Sequence, residues 1–130
     1  PPEKEFFCLR QQRLARERVE RVLALLQANL AEPPSLEEIS RHVGCSQFYL
    51  SRTFSAEMDQ TIPQYLRHIR LQRAAELLKS GKYNVTEAAL EVGYNSLSHF
   101  SQAFYQAFGC CPGLYPLKTP TQKRLAGADA

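Results

Sequence analysis

Apolar residues recur at three- and four-residue spacings along most of the chain, the period of one helical face. From about Arg13 to Leu30, Leu14, Val19, Val22, Leu23, Leu26 and Leu30 mark such a stripe, while Arg16, Glu17, Arg18, Glu20 and Arg21 fill much of the remainder. This spacing predicts an amphipathic helix that Pro33-Pro34 brings to a stop, preceded by a frayed lead-in over residues 1–12. A second stripe, Ile62, Leu66, Ile69, Ala74, Leu77 and Leu78, predicts a long helix from roughly Ile62 to Lys79, with Arg67, Arg70 and Arg73 left to solvent or phosphate. Leu50 with Phe54, and Phe100 with Phe104 and Phe108, mark the buried sides of two shorter helices. No β alternation competes, so the expected fold class is all-α, with about seven helices.

The helix boundaries are marked by polar chemistry. Ser35-Leu-Glu-Glu38, Thr61-Ile-Pro-Gln64 and Asn84-Val-Thr-Glu87 each place a capping side chain three residues before a Glu or Gln that can reach back to the cap's own amide. Pro63 falls in a first turn, where its missing N–H costs little. Val43-Gly44, Ser80-Gly81 and Val92-Gly93 supply the helix stops.

These signals repeat. Ser35-Leu36-x-Glu38-Ile39 aligns with Asn84-Val85-x-Glu87-Ala88, and Val43-Gly44 then falls on Val92-Gly93, 49 residues later. With one extra residue in the second copy, Leu50-Ser51 falls on Phe100-Ser101 and Phe54 on Phe104. Each copy is a short capped helix, a glycine turn and a second amphipathic helix, which is a helix-turn-helix. The helix between the copies is about 27 Å long at 1.5 Å per residue. A rod of that length is close to the roughly 34 Å turn of B-DNA, so it can set two recognition helices near one helical turn apart.

Charge and composition sharpen this picture. Residues 1–59 hold 8 Lys and Arg against 9 Asp and Glu, whereas residues 60–130 hold 8 against 4, so the positive field lies in the second half, as expected if it faces a polyanion. The 130 residues allow one ordinary domain or two very small ones. The longest apolar runs, such as Val22–Leu26, fall far short of the roughly 20 residues of a membrane span, and no signal-peptide pattern opens the chain; a cytoplasmic location is expected. Cys8, Cys45, Cys110 and Cys111 lack metal-ligand spacing and read as small apolar side chains, so no metal and no cofactor is expected. Without a Gly-rich phosphate loop, HExxH, Gly-x-Ser-x-Gly or paired carboxylates, and with His42, His68 and His99 dispersed, the chain does not read as an enzyme.

Residues 35–115 closely resemble the DNA-binding domain of the AraC/XylS family of bacterial transcription regulators. The resemblance rests on Ser35–Met58, on the linker Pro63-Gln-Tyr-Leu-Arg-x-Ile-Arg-Leu-x-x-Ala74-x-x-Leu77-Leu78, and on Val92-Gly93-Tyr94-Asn-Ser-Leu-Ser-His99-Phe100-Ser101-x-Ala-Phe104 through Phe108-Gly109 and Pro112. It implies two helix-turn-helix subdomains joined by a long linker helix: a domain over 13–115, with a first motif at 35–58, the linker at 61–80 and a second motif at 84–108. It implies sequence-specific binding of double-stranded DNA and activation or repression through RNA polymerase. An effector ligand would be bound by a separate domain, residues 1–12 being a linker remnant and 116–130 a flexible tail. A helical protein-interaction module with the same fold and little specific DNA binding is the alternative.

Opposite Leu50 and Phe54, the second helix of the first motif offers Gln47, Phe48, Ser51 and Arg52 to base edges. A guanidinium pairs bidentately with guanine O6 and N7, which makes Arg52 the leading base contact; a phosphate contact or a salt bridge with Glu57 competes. Phe48 can touch a thymine methyl or pack in the core. In the second motif Leu97, Ser98, Ser101 and Gln102 face outward, Gln102 standing where relatives often carry Arg and able to pair with adenine N6 and N7. His99 reads as a packed or capping histidine. Ser35, Arg41, Arg67, Arg70, Lys82 and Asn84 are the candidate phosphate contacts.

Overall fold

Helix follows helix along the chain: α1 (Pro2–Ala28), α2 (Leu36–Val43), α3 (Gln47–Met58), α4 (Ile62–Lys79), α5 (Val85–Glu91) and α6 (Leu97–Phe108), then a 3-10 turn at Pro112–Leu114. This computed structural model describes residues 2–115, with side chains from Leu9 onward. The tail over 116–130 and the side chain of Cys8 lie outside the described residues. The all-α fold with two helix-turn-helix subdomains is as the sequence predicts, with six α-helices among the described residues. No helix among them is long and apolar enough to cross a membrane.

The first difference lies at the start of the chain. The expected lead-in over 1–12 is helical from Pro2 and continuous with α1. Pro2 occupies the first helical position, where a proline removes no intrahelical hydrogen bond, and the Glu, Lys, Leu, Arg and Gln that follow are good helix formers.

The caps form as the spacing requires, with one variation. Asn84 and Glu87 bond reciprocally, Glu87 N–H to Asn84 Oδ1 at 2.8 Å and Asn84 N–H to Glu87 Oε1 at 3.1 Å. Thr61 and Gln64 do the same, Gln64 N–H to Thr61 Oγ1 at 3.2 Å and Thr61 N–H to Gln64 Oε1 at 2.9 Å. At Ser35 the structure holds the cap bond itself, Glu38 N–H to Ser35 Oγ at 3.1 Å. Gly44 closes α2 at φ +77°, a left-handed conformation that costs an L side chain about 1–2 kcal/mol. α3 ends instead on Asp59, at φ 56°, one of the few non-glycine residues that tolerate this region.

The helices divide into two units between Leu66 and Arg67, within α4. In the first, Val19, Val22 and Leu26 of α1 are buried with Ile39 and Val43 of α2, Leu50 and Phe54 of α3, and Tyr65 of α4. Tyr65 sets its ring edge-on to Phe54 at 5.8 Å, and its hydroxyl accepts from Gln27 Nε2 at 2.9 Å. In the second, Leu71, Ala74, Ala75, Leu77 and Leu78 of α4 form a core with Ala88, Ala89, Val92, Phe100 and Phe104. Tyr115 meets Phe104 edge-on at 5.1 Å and packs on Phe108, while Lys79 lies 5.4 Å from its ring centroid. The face of α4 is therefore shifted from the expected stripe: Tyr65, Leu71 and Ala75 are buried, whereas Ile62, Leu66 and Ile69 are half-buried.

Gly44 and Gly113 both leave open space where a Cβ would sit, but only Gly44 has positive φ. Gly44→Ala is therefore expected to lose about 1–2 kcal/mol in urea unfolding, and Gly113→Ala less than about 0.5 kcal/mol. Equal losses would contradict the conformational cause.

Candidate nucleic-acid interface

α3 begins because Ser46 Oγ accepts the Tyr49 N–H at 3.1 Å, relieving one of the donors that a helix start leaves unpaired. Leu50 and Phe54, one turn apart, are buried. Their burial turns Gln47, Phe48 and Arg52 outward, with Ser51 half-buried at the margin. Phe48 is 72% exposed, so it is not a core residue. The Arg52 guanidinium carbon sits 5.4 Å from the centroid of the Phe48 ring, a cation–π contact between residues one turn apart. That contact, and not an ion pair with Glu57, is where Arg52 is found. A second such contact, Arg18 over Tyr49 at 5.6 Å, ties α1 to the first turn of α3.

α6 is built in the same way. Ser96 Oγ accepts the His99 N–H at 3.3 Å, and Phe100 and Phe104 are buried. Leu97 (47% exposed), Ser98 and Gln102 face outward, and Ser101 is half-buried. His99 departs from expectation: its backbone N–H takes part in the cap, but its imidazole is exposed. Position explains this, since His99 precedes Phe100 and lies about 100° round the helix from it.

The candidate phosphate contacts are not equivalent. Arg67 and Lys82 are exposed. Arg41 lies 3.8 Å from Glu37 in an exposed pair, and such pairs are worth at most about 1 kcal/mol, so it can exchange partners. Ser35 Oγ and Asn84 Oδ1 are engaged as caps, and Asn84's backbone N–H is spent on Glu87. Arg73, which the pattern left to solvent or phosphate, bonds Glu76 at 3.0 Å. Arg70, expected on the open face, is half-buried over the Tyr94 ring at 6.0 Å. Burial holds its guanidinium below the usual range, with the Tyr94 charge opposing. Burial also pushes the Tyr94 phenol above its usual range, opposed by Arg67 and Arg70. This Arg–Tyr contact joins residues 24 apart in sequence, and no local motif announces it.

No group of His, Cys, Asp and Glu suited to a metal ion occurs among the described residues, where Cys45, Cys110 and Cys111 are free thiols.

Comparison with known proteins places these surfaces in context. A family profile described as a helix-turn-helix domain matches residues 39–116. The HTH-type transcriptional regulator ArgR of Pseudomonas aeruginosa is 34% identical over 88 residues, covering 68% of this chain and 27% of ArgR. The chain spans about a quarter of the length of several of the curated relatives it matches. An AraC-type DNA-binding-domain regulator from Chromobacterium violaceum superposes with a TM-score of 0.74 at 27% identity, covering 83% of this chain and 93% of that one. The DNA-binding domain of the transcription factor AdpA, solved in complex with a target DNA, has the same fold, with a TM-score of 0.70 at 22% identity over 86% of this chain and 97% of its own.

The direction of the Tyr94 shift sets a pH dependence. A phenol whose folded pKa is raised contributes stability that is complete below the unfolded value, near 10, and is lost as pH rises through the folded one. In an alkaline titration followed by phenolate absorbance, Tyr94 is expected to give a late component, above the range of a free phenol. Tyr94→Phe should remove that late component and soften the loss of stability above about pH 10. A late component that persists in the variant would contradict this.

Proposed function

The chain belongs to the AraC-type helix-turn-helix family of DNA-binding transcriptional regulators, and on that premise we propose that α3 and α6 enter successive major-groove segments of a promoter. The outward face of α3 carries this reading, because Arg52 stands there with its guanidinium above an exposed aromatic ring. Arg52 pairs with guanine O6 and N7. Phe48, one turn earlier, meets a thymine methyl, and Gln47 and Ser51 contact bases or phosphates beside it. From α6, Gln102 pairs with adenine N6 and N7, with Leu97, Ser98 and Ser101 completing the surface.

Phosphate contacts fix the register of these helices and carry no sequence information themselves. Arg67 and Lys82 supply charge; Arg41 joins them by exchanging Glu37 for a phosphate. Arg70 acts from its place over Tyr94, and Ser35 and Asn84 stand at helix starts, where amides favour an anion. Regulation, as activation or repression, runs through RNA polymerase. An effector ligand acts on a separate domain, a reading that the greater length of several relatives supports.

The test compares affinities on duplexes selected from a random library and on scrambled duplexes. Arg52→Ala is expected to lose about 1–3 kcal/mol on selected duplexes, with its guanine preference, and little on scrambled ones. Lys82→Ala should weaken both alike. An Arg52→Ala variant with unchanged selectivity would overturn the base-reading role and favour a protein-interaction module.

A further inference from the structure

Beside the base-facing surface of α6 lies a shallow notch of about 400 Å³, lined by Arg67, Tyr94, His99, Gln102, Ala103 and Gln106. Its chemistry is one-sided. Guanidinium, phenol, imidazole and two carboxamides all donate hydrogen bonds, and no carboxylate is among the lining residues. A notch of similar size in the first unit, lined by Leu9, Gln12, Arg13, Arg16 and Glu57, has an acid among its arginines, so a lining rich in donors and without a carboxylate is not simply what a basic helical surface yields.

The surroundings reinforce the sign. Arg70 covers the Tyr94 ring from the same helix that presents Arg67, placing a second guanidinium next to the notch. Tyr94 is held in place by Phe100, ring edge to ring at 5.3 Å. Its phenol is pushed upward by burial, so at neutral pH it keeps its proton and stays a donor. An anion arriving here exchanges water for up to five directed donors, one of them a fixed charge.

We propose that this notch is a phosphate-binding site, in which Arg67 supplies the charge and Tyr94, His99 and Gln106 the directed hydrogen bonds. The source of the phosphate rests on the DNA-binding reading above: a backbone phosphodiester next to the groove that α6 enters. A free phosphate ion offers the same chemistry. With a backbone phosphate in the notch, the second unit holds DNA of any sequence, and Gln102, on its rim, is shared between gripping and reading.

Two measurements on the purified chain separate the sources. The first titrates inorganic phosphate against the Arg67 and His99 side-chain resonances, with chloride at matched ionic strength as control. The second measures duplex affinity against salt for the wild type, Arg67→Gln, His99→Ala and Tyr94→Phe. Arg67 and His99 are exposed, and Tyr94→Phe keeps the ring and removes only its hydroxyl, so folding is preserved.

For a backbone phosphate, Arg67→Gln should lower the slope of log K against log salt by about 1. His99→Ala and Tyr94→Phe should weaken selected and scrambled duplexes by the same factor. For a free phosphate, saturable resonance shifts should vanish in the variants while duplex affinity stays unchanged. An effect confined to Arg67→Gln would make it a lone contact and overturn the notch, as would the absence of both saturable shifts and slope change. Arg52→Ala measured in parallel keeps the two readings apart: if it loses selectivity while the notch variants do nothing, only the notch falls.

Discussion

Burial of Leu50 with Phe54, and of Phe100 with Phe104, decides which side of each recognition helix is left for a partner. Removing a buried Phe costs about 3–5 kcal/mol, against about 1 for a helix cap and at most about 1 for an exposed ion pair. The caps at Ser46 and Ser96 therefore set where α3 and α6 begin, but burial sets how they are rotated. A slip of one residue turns a helix by about 100° and would carry Phe48 or Arg52 toward the core. The outward presentation of Arg52 follows from the inward commitment of residues two positions on either side.

The two units share this plan and use it differently. In the first, a guanidinium rests on an exposed ring in the middle of the outward face of α3. In the second, α6 carries no Arg or Lys, and Arg67 and Arg70 of α4 gather instead around Tyr94. On the proposed reading, base recognition is concentrated in the first unit, and the second contributes more of the grip.

Much of this was legible in sequence because it is local. The paired motifs, the caps at Asn84 and Thr61, the glycine stops and the spacing of Leu50 and Phe54 depend on neighbours within about one turn, and each was found where the pattern put it. What escaped depends on distant partners. Tyr65 is buried because Phe54 and Gln27 receive its ring and hydroxyl, and Arg70 is drawn from the open face by Tyr94. The choice between surface and core at Phe48, and between packing and capping at His99, is settled by the buried residues beside them: Leu50 and Phe100 turn both side chains outward. The lead-in over 1–12 is helical because a proline in a first turn permits a helix, a feature that the apolar periodicity does not report.

The most direct test of major-groove reading alters one groove at a time on a selected duplex. Replacing its guanines by 7-deazaguanine removes the N7 acceptor from the major groove, and replacing them by inosine removes the 2-amino donor from the minor groove. The expected result is a loss of affinity with 7-deazaguanine that Arg52→Ala does not suffer further, and little change with inosine. A duplex weakened by inosine and indifferent to 7-deazaguanine would contradict docking of α3 in the major groove.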